Sequence, residues 1–274
     1  MAARWTPDEH FDEDFDDESI MYRRPRFVLF GDSITQQGFS TVHCGWVAQL
    51  SDKYQRKVDV VNRGYSGYNT KWAKELMPQV SNELRTKHEI ERGSARDVVA
   101  IFFGANDAAL AGSTGHEQHV PLHEYKENLG VIVDYFRSHK PNPPHVVLVT
   151  PPPMDANAWA AFCIEKESNR TLEGVRRYAE TCAQVAREKG VPLVNAWEGM
   201  HERLGKDELA SLFWDGLHLS SKGNKLLYEA FLKVVENDLP GYRADDLAWD
   251  RPQWRNIDYR DYKRSFRKVF QSTL

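Results

Sequence analysis

The chain has 274 residues, a net charge of -4 at pH 7, and 41% hydrophobic against 28% charged residues. That length and balance fit one large globular domain, and so small a net charge gives no electrostatic reason to expect a nucleic-acid partner. No apolar run reaches the roughly 18–20 residues needed for a membrane span. The start, Met1 to Ile20, is acidic and lacks the basic-then-apolar order of a secretory signal. Cys44, Cys163 and Cys182 are odd in number and form no Cys-x-x-Cys, which points to reduced thiols in a cytoplasmic setting.

Taken from the start, residues 1–22 form an acidic N-terminal arm, with Phe11 and Phe15 set among the carboxylates of Asp8 to Glu18. A body over 23–240 follows, and residues 241–274 make an aromatic, basic C-terminal extension with Trp249, Trp254, Tyr259, Tyr262 and Phe266. Within the body, Arg26–Phe30, Val58–Val61, Val98–Phe103, His145–Thr150 and Pro192–Asn195 read as strands. Their continuous β-branched and aromatic character is that of strands covered on both faces. Trp46–Tyr54, Lys71–Leu84, Leu122–His139, Asn169–Lys189 and Lys222–Asn237 read as helices between or after them. The alternation predicts a three-layer α/β/α, doubly wound, flavodoxin-like sheet of about five parallel strands. In such sheets the working residues sit beyond the carboxyl ends of the strands.

Four short motifs fall there. The first strand leads into Gly31-Asp32-Ser33-Ile34-Thr35. Ser33 there either caps a helix or presents a hydroxyl close to backbone N–H groups that can receive negative charge. Asn62-Arg63-Gly64-Tyr65-Ser66-Gly67-Tyr68 follows the second strand and is either a plain turn or a close backbone approach to a ligand. Gly104-Ala105-Asn106-Asp107 ends the third strand; Asn106 either donates its amide to an oxyanion or caps the next loop. Finally, Trp214-Asp215-Gly216-Leu217-His218 precedes the last helix. Asp and His three apart on a loop are either a turn with a surface histidine or a carboxylate orienting an imidazole base.

In their order and content these motifs closely resemble the four blocks of the SGNH (GDSL) hydrolases. The resemblance runs from about Arg26 to Asp238, and within the family it is nearest to the isoamyl acetate-hydrolysing esterases, whose known members act on short-chain acetate esters. It implies a serine esterase with catalytic Ser33, Asp215 and His218 and an oxyanion hole built from Ser33, Gly67 and Asn106. It implies a small-molecule ester as partner and no cofactor. Two rival readings remain: an esterase on another class, such as a carbohydrate acetyl ester, thioester or lysophospholipid, and a non-catalytic flavodoxin-like binding protein. Trp46, Trp159, Phe162 and Trp214 are candidate substrate contacts, with core packing as the alternative. His116-Glu117-Gln118-His119 has the wrong spacing for a zinc motif, so no metal site is expected. The charged, aromatic arms are expected to pack on the body, on each other, or across a homodimer.

Overall fold

The computed structural model describes residues 24–85, 96–140, 142–163, 168–201 and 206–267; the acidic arm 1–22 lies outside the described residues, as does 268–274. The apolar runs become β1 (Arg26–Gly31), β2 (Asp59–Gly64), β3 (Val98–Phe102), β4 (His145–Val149) and β5 (Leu193–Val194). All pair in parallel, in the order β2-β1-β3-β4-β5. That is the doubly wound flavodoxin-like order, and its switch point falls between β1 and β3.

Successive side chains of β1 point to opposite layers, as strand geometry requires. The Phe27 ring meets Tyr54 and Phe231, while the Phe30 ring meets Phe136 and Tyr65. Helices α2 (Trp46–Lys53) and α9 (Ser221–Asp238) pack together on one side of the sheet. On the other side α3 (Thr70–Ser81), α4 (Leu122–Arg137) and α6 (Leu172–Lys189) lie in a row.

Most boundaries shift by one to three residues from the sequence reading, and two of the shifts have identifiable reasons. β2 continues through Asn62 and Arg63 to Gly64 because its register with β1 holds as far as the Gly31–Gly64 pair. The second motif therefore begins inside the strand, not after it. α6 starts three residues later than Asn169 because the Thr171 hydroxyl accepts the Gly174 N–H at 2.9 Å and caps it there. Short helices α1 (Ser33–Gln36), α5 (Ala156–Phe162), α7 (Ala196–His201), α8 (Lys206–Ala210) and α10 (Tyr262–Arg267) are additional to the predicted set.

Candidate active site

The chain leaves β1 through Gly31 and turns at once into α1. Asp32 caps this turn, its Oδ1 accepting the Ile34 N–H at 2.9 Å. The helix cap is thus Asp32, and Ser33 occupies the first helical position, where its own N–H has no intrahelical acceptor. Ser33 is buried, just beyond the carboxyl end of β1.

The last motif reaches Ser33 from a loop pinched shut before α9. Phe213 bridges to Leu219, and the Trp214 N–H donates to the His218 carbonyl at 3.0 Å. Inside the pinch, Asp215 Oδ1 accepts the backbone N–H groups of Leu217 at 2.9 Å and His218 at 2.7 Å. That turn swings the imidazole back onto the carboxylate, with His218 Nδ1 2.5 Å from Asp215 Oδ2. The other ring nitrogen, Nε2, lies 2.8 Å from Ser33 Oγ. Burial alone would raise the Asp215 pKa, but hydrogen bonds from the His218 side chain and backbone hold it below the ordinary carboxylate value. An ionised carboxylate only accepts, so Nδ1 carries the ring proton and Nε2 is left to accept from the Ser33 hydroxyl. Such a line can take the hydroxyl proton as the oxygen attacks and hold the resulting imidazolium.

Gly67 and Asn106 follow the carboxyl ends of β2 and β3, the two strands that flank β1. Gly67 has φ +82°, a left-handed conformation that a side chain would strain. Asn106 is buried; its Nδ2 donates to the Tyr68 carbonyl at 2.9 Å. One amide hydrogen of that group remains for another acceptor.

The four candidate contact residues part company. Trp214 is 43% exposed and Phe162 53% exposed, their rings meeting edge-on at 5.4 Å between centroids. Trp214 also stacks on His218 at 5.9 Å, and half-buried Trp159 stands edge-on to the same imidazole at 6.0 Å. Trp46 is a correction. It is 1% exposed, packed against Phe102 and Phe231, and its indole N–H donates to the Ile34 carbonyl at 3.2 Å. Beneath the Ser33 turn it is core, not a wall of the site.

Sequence reasoning missed Arg170 and Gln118. Arg170 is 2% exposed, just ahead of the α6 cap, and no periodicity or motif marks it. Its guanidinium donates to Ala105 O, Asn106 Oδ1, Asn169 Oδ1 and Gln118 Oε1 at 2.6–2.9 Å. Burial lowers its pKa to about 10, so it stays a cation at neutral pH. Gln118 sits between the two set-aside histidines, whose own ring nitrogens face the carbonyls of Ser113 and Ala109. Two carboxylates lie close by. Burial pushes Asp32 up to about 6 and Asp107 up to about 7. In each, Oδ2 has no hydrogen-bond partner among the described residues.

A serine turn after β1 joined by hydrogen bonds to an Asp-His loop, on a 2-1-3-4-5 parallel sheet, is the arrangement of the SGNH hydrolase class. The GDSL-like lipase/acylhydrolase family matches residues 27–231, and the chain belongs to that family as an ester hydrolase. It is 41% identical to the Bos taurus isoamyl acetate-hydrolyzing esterase 1 homolog over 238 residues, covering 85% of this chain and 88% of that one. With the Saccharomyces cerevisiae isoamyl acetate-hydrolyzing esterase it shares 33% identity over 247 residues, covering 85% and 94%. Among solved structures, the lipase/acylhydrolase of Enterococcus faecalis is similar with a TM-score of 0.56 and 26% identity, over 78% of this chain and 96% of that one. No helix among the described residues is long and apolar enough to cross a membrane.

Proposed function

We propose that this chain is a serine esterase acting on short-chain carboxylic esters, acetates foremost, through an acyl-enzyme on Ser33. His218 takes the Ser33 proton as Oγ attacks the ester carbonyl. The tetrahedral oxyanion is held by the N–H groups of Ser33 and Gly67 and by Asn106 Nδ2, donors that act most strongly on charge developed in the transition state. His218 then protonates the departing alcohol, and water activated by the same ring releases the acid. Asp215 keeps the ring in the right tautomer and stabilises its cation. The chemistry needs no cofactor.

One observation carries the reading: the hydrogen-bonded line from Asp215 through His218 to Ser33, at 2.5 and 2.8 Å. The acetate preference draws support from what the similar esterases are named for hydrolysing. Trp159, Phe162 and Trp214 beside His218 supply an aromatic surface for an apolar alcohol.

The test is a panel of p-nitrophenyl esters from acetate to laurate, followed before and during steady state. The expected outcome is a kcat/KM greatest for acetate and falling with acyl length. An initial burst of about one nitrophenolate per site should accompany it wherever deacylation is slow. A kcat/KM that climbs with acyl length would reject the short-chain assignment.

A further inference from the structure

The amide of an asparagine works as an oxyanion donor only if its nitrogen, not its oxygen, faces the hole, and the neighbouring hydrogen bonds decide which. A guanidinium has donors and no acceptor, so any amide edge that meets it must be the oxygen. One nitrogen of Arg170, Nη2, meets two amides in this way: Asn106 Oδ1 at 2.9 Å and Gln118 Oε1 at 2.7 Å. The consequence for Asn106 is that Nδ2 takes the opposite edge and reaches Tyr68 O at 2.9 Å. For Gln118 it is that Nε2 donates to Gly67 O at 3.0 Å. Gly67 and Tyr68 are adjacent, so the bonds close into a ring: Arg170 to Gln118 to the Gly67–Tyr68 turn to Asn106 and back to Arg170.

The guanidinium itself is anchored from behind. Its Nε donates to Ala105 O at 2.7 Å and its Nη1 to Asn169 Oδ1 at 2.6 Å. Asn169 Oδ1 also accepts the Trp159 indole N–H at 3.0 Å, joining the same hub to the aromatic wall. A lysine carries the charge but not the planar fork that reaches four acceptors.

We propose that Arg170 is the positioning residue of the oxyanion hole, turning the Asn106 amide so that Nδ2 faces the reacting carbonyl and bracing Gly67 through Gln118. The proposal rests on the oxyanion roles assigned to Asn106 and Gly67 above.

The test compares Arg170→Met, Arg170→Lys, Asn106→Ala and the Arg170→Met/Asn106→Ala double variant on p-nitrophenyl acetate, with melting temperatures alongside. Arg170→Met is expected to lower kcat about 10²-fold with KM little changed, the scale of a misplaced catalytic group. In the Asn106→Ala background the same change should cost no more than about threefold, the share of the Gly67 arm alone, because the Asn106 amide that Arg170 orients is already gone. Arg170→Lys should not restore kcat. The proposal is overturned if the double variant loses the full Arg170 factor again, if Arg170→Met raises KM alone, or if lysine restores kcat. Should Arg170→Met not fold, Gln118→Met breaks only the Gly67 arm at a half-buried position. Its kcat should fall in the wild-type and Asn106→Ala backgrounds alike, and an unchanged kcat overturns the proposal. An Asn106→Ala variant with wild-type kcat would instead strike at the oxyanion reading itself.

Discussion

Trp46 and Trp214 share a side chain and a place beside a candidate catalytic motif, yet one is sealed under the Ser33 turn and the other is exposed over the imidazole. Residue type and sequence position do not separate them; only the three-dimensional neighbours do. Trp46→Ala should therefore destabilise the fold by about 3–5 kcal/mol, the range for emptying an aromatic site in a core. Trp214→Ala should leave the melting temperature nearly unchanged and raise KM for aryl and branched-alcohol esters. Thermal melts and steady-state kinetics on the two variants check this, and a reversed pattern would reassign both residues. By contrast, Ser33, Asp215 and His218 were legible because each sits in a short local motif whose residue types have few other joint uses. Arg170 was illegible because its partners Ala105, Asn106 and Gln118 are distant in sequence and only the fold brings them to it. Asp107 makes a pH claim at the same scale. Its folded pKa, raised to about 7 by burial, means the folded chain holds this proton more tightly than the unfolded chain. The stability so gained is full below about pH 4 and is lost as pH rises through about 7. Asp107→Asn cannot titrate, so its melting temperature relative to wild type should climb between pH 4 and pH 8. Parallel curves for the two proteins would show that Asp107 does not titrate in that window.

Among the elements, α5 is the one that composition concealed and function needs. It is a short helix after Pro151-Pro152-Pro153, with no periodic apolar stripe to announce it. What places it is backbone contact with the Asp-His loop: the Asp155 N–H donates to Gly216 O at 2.8 Å. Gly216 has φ +95°, and a Cβ there would stand 2.3 Å from Trp159 N and 2.5 Å from Asp155 O. Gly216→Ala should force the helix and the loop apart, with backbone strain alone on the order of 1–3 kcal/mol. Because Trp159 leaves with the helix and His218 shifts with the loop, kcat should fall together with the melting temperature. A Gly216→Ala protein with wild-type kinetics would break the link between α5 and the site. The major strands and long helices were legible because apolar runs and caps are local signals. The end of β2 was not, since register with β1, a tertiary property, extends it.

At the scale of the whole molecule, the C-terminal extension is partly a strap across the body. Tyr242 is fully buried; its carbonyl accepts the Tyr54 hydroxyl at 2.8 Å. Further on, the Arg56 guanidinium lies 4.6 Å from the Trp249 ring and 3.1 Å from Asp250 Oδ1, and Arg24 reaches Asp250 Oδ2 at 3.4 Å. Exposed ion pairs contribute only about 0–1 kcal/mol each, and a cation–π contact at such a site about 0.5–1 kcal/mol. Removing residues after Ala248 should lower the melting temperature by about 2–4 °C for each kcal/mol lost. An unchanged melting temperature would mean the strap ends before Trp249. Trp254, Tyr259 and Tyr262 remain largely exposed. If they join two copies, the same truncation halves the mass seen by light scattering; an unchanged mass removes the homodimer proposal.

The central claim is that Ser33 is the nucleophile, and covalent labelling addresses it most directly. A fluorophosphonate forms a stable phosphonyl ester with a serine activated by its histidine, and intact-mass and peptide analysis locate the adduct. The expected result is one adduct per chain, on Ser33, absent from Ser33→Ala and strongly slowed in Asp215→Asn. Ester turnover should fall about 10⁴–10⁶-fold in Ser33→Ala, as for loss of a triad member. An adduct on another residue, or a folded Ser33→Ala protein keeping more than about a tenth of wild-type turnover against that scale, would contradict the account.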